Sequence, residues 1–257
     1  MHGLKAKRVG KKGQIAVKLD MSKAYDRVEW NFLKGIMSKL GFVGQWINLI
    51  MVCLKSFSYA ILFNGEPHGL ITPSRGIRQG DPLSPYLFLL YAEGLLCLLR
   101  KAKLDNLLHG VSVCRGGTRI SHLLFADNSL IFCEASVLEC ERLGTLLDLY
   151  KEASGQQVNR QKTTLFFSKN TPSPIRIEVQ QFWGASSSSQ FAKYLGLPAS
   201  IGRNKGQAFR GVKDQLIRWL EGWNERFLSK AGREVLIKAV EQAIPAYSMS
   251  VFMLPRD

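Results

Sequence analysis

Apolar positions recur along this chain with two different periods. Residues 15–19 form a run broken only by Lys18 and ended by Asp20, which suits a strand that delivers a carboxylate at its tip. Val28, Phe32, Ile36 and Leu40 then repeat at helical spacing, Leu33 and Met37 widen the stripe, and Gly41 supplies a stop. The pattern from 15 to 41 is therefore a strand, a turn and an amphipathic helix. Residues 59–63 and 69–72 flank Asn64-Gly65, a pair suited to a hairpin turn with positive φ. Pro82 and Pro85 open an apolar helix through Leu99, because the first turn of a helix needs no amide donor. Residues 120–125 and 130–133 predict a second hairpin with Ala126-Asp127-Asn128-Ser129 at its tip, followed by a helix at 138–150 and a strand at 163–167. A second acidic residue, Asp127, thus stands at a bend.

The serines at 186–189, just after Gly184, read as a flexible boundary. Beyond them the pattern predicts a turn at Tyr194-Leu195-Gly196 and helices over 205–222 and 229–251, with Pro245 kinking or ending the second. This divides the chain into 1–185 and 186–257. With 257 residues, 46% hydrophobic and 21% charged, it can bury a sizeable core, which argues against disorder. Lys and Arg total 35 against 20 Asp and Glu, a formal charge of +15, which makes polyanions, nucleic acid first among them, the candidate partners; on charge alone a soluble protein that is merely basic competes equally.

The apolar stretch at 86–99 carries Glu93 and is shorter than the roughly 20 residues a bilayer crossing needs, so it reads as a core helix and no membrane partner is expected. The five cysteines, at 53, 97, 114, 133 and 140, include no Cys-x-x-Cys pair and read as buried thiols in a reducing compartment. The basic cluster of Lys5, Lys7, Arg8, Lys11 and Lys12 has no apolar run behind it and reads as a solvated lead-in, not a secretory signal.

Three segments carry the chemistry: Leu19-Asp20-Met21-Ser22-Lys23-Ala24-Tyr25-Asp26, Arg78-Gln79-Gly80-Asp81-Pro82-Leu83-Ser84-Pro85 and Phe125-Ala126-Asp127-Asn128. A strand tip and a hairpin tip in one antiparallel sheet bring two carboxylates together, the arrangement that holds divalent cations for nucleotidyl transfer. Either aspartate alone would read as a solvated turn residue. Together and in this order, the segments resemble motifs A, B and C of reverse transcriptases, in wording closest to LINE-type, non-LTR retrotransposons of plants. The likeness continues through Lys162 in a motif D-like stretch, Tyr194-Leu195-Gly196-Leu197-Pro198 in a motif E-like stretch and the block from Trp219 to Pro255.

The resemblance implies an α+β fold: a reverse-transcriptase-like palm, an antiparallel sheet packed on helices, in 1–185 with a remnant of fingers, then a primer-grip turn and partial helical thumb in 186–257. It implies an RNA-directed DNA polymerase acting on an RNA template, a DNA primer and deoxynucleoside triphosphates with Mg2+ or Mn2+. Asp20, Asp127 and the Met21 carbonyl become expected metal ligands, and Tyr25 the aromatic gate against a ribose 2′-hydroxyl. Arg78, Gln79 and Gly80 are expected beside the nucleotide, Lys162 beside the departing pyrophosphate, and Tyr194, Leu195 and Gly196 in a primer grip. Core packing competes for Tyr25, turn geometry for Gly80 and a solvated surface for Lys162. Trp219 and Trp223, four apart, read as core residues on one helix face.

The chain departs from the motif pattern twice. Where motif C ends in a second aspartate, this sequence has Asn128, an amide that keeps one carbonyl acceptor and loses a full charge. The implied cluster falls from three carboxylates to two, and impaired polymerase activity is the expectation. Only 19 residues precede Asp20 and the chain stops at Asp257, so a fragment without fingers or complete thumb is also expected. The alternative to an enzyme is a basic remnant that binds nucleic acid without extending it.

Overall fold

The computed structural model describes residue 7, residue 10 and residues 12–112, 116–125 and 128–187; further on it describes residues 209–211, 213–214, 217–218, 229–236 and 238. The chain separates into two compact units, Gly3–Ser189 and one made chiefly of Gln190–Asp257. In the second, the described residues include the helix Lys230–Leu236.

The first unit is built on a five-stranded sheet with strand β1 (Gln14–Asp20) at its centre. On one side β1 pairs antiparallel with β7 (Asn128–Glu134), which pairs in turn with β6 (His122–Phe125); on the other it pairs antiparallel with β8 (Thr164–Phe167), followed in parallel by β9 (Ser186–Ser187). Ile15, Ala16, Val17 and Leu19 are all fully buried. A central strand covered on both faces needs a continuous apolar run, and this is why residues 15–19 do not alternate.

Helices cover the sheet: α1 (Trp30–Lys39), α2 (Gly44–Lys55), α3 (Ser84–Leu104), α4 (Val137–Ser154) and α5 (Ser173–Trp183). α1 meets α3 where Phe32 packs edge-on against Tyr91, with centroids 5.0 Å apart. The approach depends on Gly94, at which a Cβ would lie 2.6 Å from the Phe32 ring. α4 begins with Ser136 capping the Glu139 amide at 3.3 Å and ends at Gly155 in the left-handed region.

The hairpin β2 (Tyr59–Phe63) and β3 (Glu66–Ile71) has the expected turn, with φ of 50° at Asn64 and 86° at Gly65. Val111–Ser112 (β4) pairs with Arg119–Ile120 (β5), so Ile120 belongs to this short ladder and not to the arm of the second hairpin.

Several expectations need correction. Helix α2 was not foreseen: Ile47, Ile50, Met51 and Leu54 form its buried stripe, but Trp46, Leu49 and Val52 are exposed, so apolar residues surround the helix and blur its period. In α1 the buried residues are Trp30, Leu33 and Met37, with Leu33 and Met37 the part of the expected stripe that faces the core, while Leu40 is exposed. α3 runs on to Leu104, and α5 also went unread. The first two residues of the serine run, Ser186 and Ser187, form strand β9, held against β8, and the two compact units divide after Ser189. Cys133 and Cys140 are buried as expected, but Cys53 and Cys97 are exposed. Trp219, Trp223 and most of the two C-terminal helices lie outside the described residues.

Candidate functional site

Asp20 ends the central strand, half-buried, and the β1–β7 register pairs it with Asn128, the first residue of β7. Asn128 pairs with Phe125 of β6, so Asn128 and Ser129 belong to strand β7 and not to the tip expected from the sequence. Asp127 lies outside the described residues. The register does set the chain neighbour of Asp127 directly beside Asp20.

The turn after Asp20 is tied to two other loops. On one side, the segment after α4 continues the sheet beyond β8: Ser22 N–H donates to the Gln157 carbonyl at 2.8 Å, Met21 bridges Val158, and Asn159 N–H donates to the Asp20 carbonyl at 2.8 Å. Asn159 also builds the turn that presents Lys162, whose amide donates to the Asn159 carbonyl and to Asn159 Oδ1, each at 3.2 Å. Lys162 is exposed. The loop expected to carry a motif D lysine is thus bonded to the backbone of Asp20 itself.

On the other side, Gly76 N–H donates to the Val28 carbonyl at 2.8 Å and Ile77 N–H to the Tyr25 carbonyl at 3.0 Å. Trp30 Nε1 returns a bond to the Gly76 carbonyl at 2.7 Å, and Arg75 meets Glu29 at 3.3 Å. Gly76 has φ of +89°, and a Cβ there would stand 3.1 Å from the Asp26 carbonyl; both conditions demand glycine. This lock presents Arg78, Gln79 and Gly80, all exposed. Gly80 has φ of +87° with open space where a Cβ would be. Its glycine therefore serves the backbone turn and leaves one face of the loop clear. Asp81 builds the turn that leads into α3, its Oδ1 accepting the Leu83 amide at 2.8 Å and its carbonyl the Ser84 amide at 3.1 Å.

Tyr25, half-buried, stacks on Phe88 of α3 with centroids 5.0 Å apart and planes 9° from parallel. Beneath it lies a buried polar network. Gln156 Nε2 donates to the Ala24 carbonyl at 2.8 Å, the Tyr91 hydroxyl donates to the Ser154 carbonyl, and Glu29 N–H reaches the Tyr91 oxygen at 3.4 Å. Burial raises the Tyr91 phenol above its ordinary pKa, so it stays a neutral donor. The network joins α3, the end of α4 and the turn after Asp20.

The structure thus brings together Asp20, Met21, Tyr25, the 78–80 loop, Asn128 and the Lys162 turn. Tyr194, Leu195 and Gly196 lie outside the described residues. The sequence reading missed Trp30, Gly76, Gln156 and Asn159, which hold the loops in place; the signal for Gly76 was a glycine two residues before the Arg78 motif. Among the described residues, no helix is long and apolar enough to cross a membrane.

A central antiparallel sheet with an aspartate at its middle strand tip, a helix-opening loop docked on the turn that follows, and a lysine turn on the far side define a polymerase palm. The chain belongs to the reverse transcriptase (RNA-dependent DNA polymerase) family, whose model matches residues 2–199. It is 53% identical over 73 residues, 28% of this chain and 60% of the relative, to an uncharacterized mitochondrial protein of Arabidopsis thaliana. It is 27% identical over 222 residues, or 85% of this chain, to the Transposon TX1 uncharacterized 149 kDa protein of Xenopus laevis. Over 161 residues, 62% of this chain, it is 29% identical to the retrovirus-related Pol polyprotein from type-1 retrotransposable element R2 of Popillia japonica. The matches span only 16% and 22% of the latter two. The domain is therefore a reverse transcriptase domain of the non-LTR retrotransposon kind, from a family of nucleotidyltransferases that usually work with a divalent metal.

Proposed function

We propose that this chain is the polymerase core of a non-LTR retrotransposon protein, shaped to extend a DNA primer on an RNA template from deoxynucleoside triphosphates with Mg2+ or Mn2+. The observation that carries the reading is the register of Asp20 against Asn128, with the 75–80 loop and the 157–163 loop each bonded to the turn that follows Asp20. In sequence terms these are motifs A, B, C and D around one strand tip.

The donor set fits the metal in kind: Asp20, Asp127 and the Met21 carbonyl are hard oxygens, which Mg2+ prefers. When bound, the cations would lower the pKa of the primer hydroxyl and offset charge on the transferring phosphoryl group. The protein's own residues do the rest. Tyr25, pinned by its stack on Phe88, would meet a 2′-hydroxyl and so favour deoxynucleotides. Arg78 would pair with phosphate, and Gln79 and Gly80 would lie along the incoming base pair. Lys162 would supply a proton or positive charge to the departing pyrophosphate, and Tyr194, Leu195 and Gly196 would hold the primer end.

Asn128 reduces the charge facing the cations and leaves this form impaired. That same residue favours a second reading, a basic module that binds nucleic acid without extending it. The test is Mg2+-dependent incorporation on an RNA template with a DNA primer, comparing the chain with Asn128→Asp. Restoring the carboxylate is expected to raise incorporation at least about tenfold, and adding Asp20→Asn to that variant is expected to abolish it. Salt-sensitive duplex binding with no incorporation by Asn128→Asp would instead establish the second reading.

A further inference from the structure

We infer that Asn159 is a positioning residue that fixes where Lys162 stands relative to Asp20; the inference rests on the polymerase reading of the site. Three sets of bonds meet on this one asparagine. Its N–H donates to the Asp20 carbonyl at 2.8 Å, which seats it against the tip of the central strand. Its Oδ1 accepts the amides of Gln161 at 3.1 Å and Lys162 at 3.2 Å, the pattern by which an asparagine side chain mimics a backbone turn. Its carbonyl accepts the Thr163 amide at 3.0 Å and the Thr163 hydroxyl at 2.8 Å, closing the turn before β8 begins. The shortest bonded path from the backbone of Asp20 to that of Lys162 therefore runs through Asn159.

The placement has a chemical consequence. A lysine ammonium sits on a flexible four-carbon stem, so the position of its Cα sets the region its amine can visit. Lys162 is exposed, and the bond that its carbonyl accepts from the Thr164 hydroxyl is long, at 3.4 Å. Anchoring the turn to the same carbonyl that ends in Asp20 keeps amine and carboxylate in one frame. Asn159 touches no substrate in this scheme and acts through Lys162.

A residue that merely caps a turn would contribute to stability alone, so the experiment reads the coupling to Lys162. In the Asn128→Asp chain, single-nucleotide incorporation is followed across pH, and amide hydrogen exchange is followed at residues 161–163, in β1 and in β7. Asn159→Ala is expected to speed exchange at 161–163 at least about tenfold while β1 and β7 keep their protection. It is expected to lower kcat about tenfold with nucleotide KM changed less than about twofold, and to flatten the pH limb that Lys162→Ala also removes. The double variant Asn159→Ala with Lys162→Ala should be no slower than Lys162→Ala alone. Asn159→Asp, which retains the side-chain acceptor, should keep both exchange and rate within about threefold of the parent.

Unchanged exchange in Asn159→Ala, or losses that multiply in the double variant, would overturn the inference. If the parent incorporates nucleotide and Asn159→Ala does so equally well, the Asn159 role alone falls. If no variant incorporates although exchange responds, the polymerase reading falls and takes the positioning role with it.

Discussion

At position 128 an NH2 group stands where the resemblance leads one to expect a carboxylate oxygen, and that difference acts directly across the ladder from Asp20. Two further residues yield predictions of their own. Replacing Tyr25 with Ala in the Asn128→Asp chain removes the ring stacked on Phe88, and incorporation of ribonucleotides relative to deoxynucleotides should rise at least about tenfold in competition assays. His122 is half-buried, and burial together with the positive charges of Arg100 and Lys103 holds its imidazole below the usual 6.5. The sign follows: the unfolded chain takes up this proton more readily, so the contribution to stability is present above about pH 6.5 and is lost as pH falls through the lower folded-state value. Urea midpoints measured from pH 7 down to pH 5 should fall, and His122→Gln should flatten that fall.

Elements meet at two junctions whose chemistry is unusually exacting. Gly94 lets α3 approach α1 so closely that a Cβ would lie 2.6 Å from the Phe32 ring; Gly94→Val should cost about 1–3 kcal/mol by overpacking, read as a lower urea midpoint with unchanged m-value. Trp30 Nε1 caps the Gly76 carbonyl at 2.7 Å in a buried setting. Trp30→Phe should cost about 1–3 kcal/mol through the unsatisfied carbonyl and loosen the loop that carries Arg78, Gln79 and Gly80, raising nucleotide KM in the Asn128→Asp chain.

The legibility of these elements followed their local signals. β1, the 59–71 hairpin and α3 were readable because a buried run, an Asn-Gly turn and a proline-opened helix each announce themselves within a few residues. α2 was not, because Trp46, Leu49 and Val52 add apolar residues to its exposed side. β9 was not, because two serines have no strand signal and pair only where β8 offers an open edge.

For the molecule as a whole, the charge of +15 should show as binding to an RNA–DNA duplex that weakens log-linearly with salt, by a slope of about 0.9 for each phosphate neutralised on a B-form duplex and of similar order here. Fluorescence anisotropy between low and moderate salt measures it; a flat response would remove nucleic acid as the partner that the charge serves.

The sequence by itself determined the candidate site residues and the order in which they occur: Asp20, the 78–85 segment, Asp127 with Asn128, and Lys162 can be singled out because each lies in a short, local pattern of residue types. It also determined the elements whose periodicity is unambiguous. Only the tertiary structure decided that Asn128 faces Asp20, that Gly76 and Trp30 lock the loop before Arg78 onto the turn after Asp20, and that Asn159 joins the strand tip to the lysine turn. These are pairings between residues 46 to 139 positions apart; apart from the Trp30 indole bond they depend on strand register and backbone hydrogen bonds, which any residue but proline can donate and which therefore leave little trace in side-chain pattern.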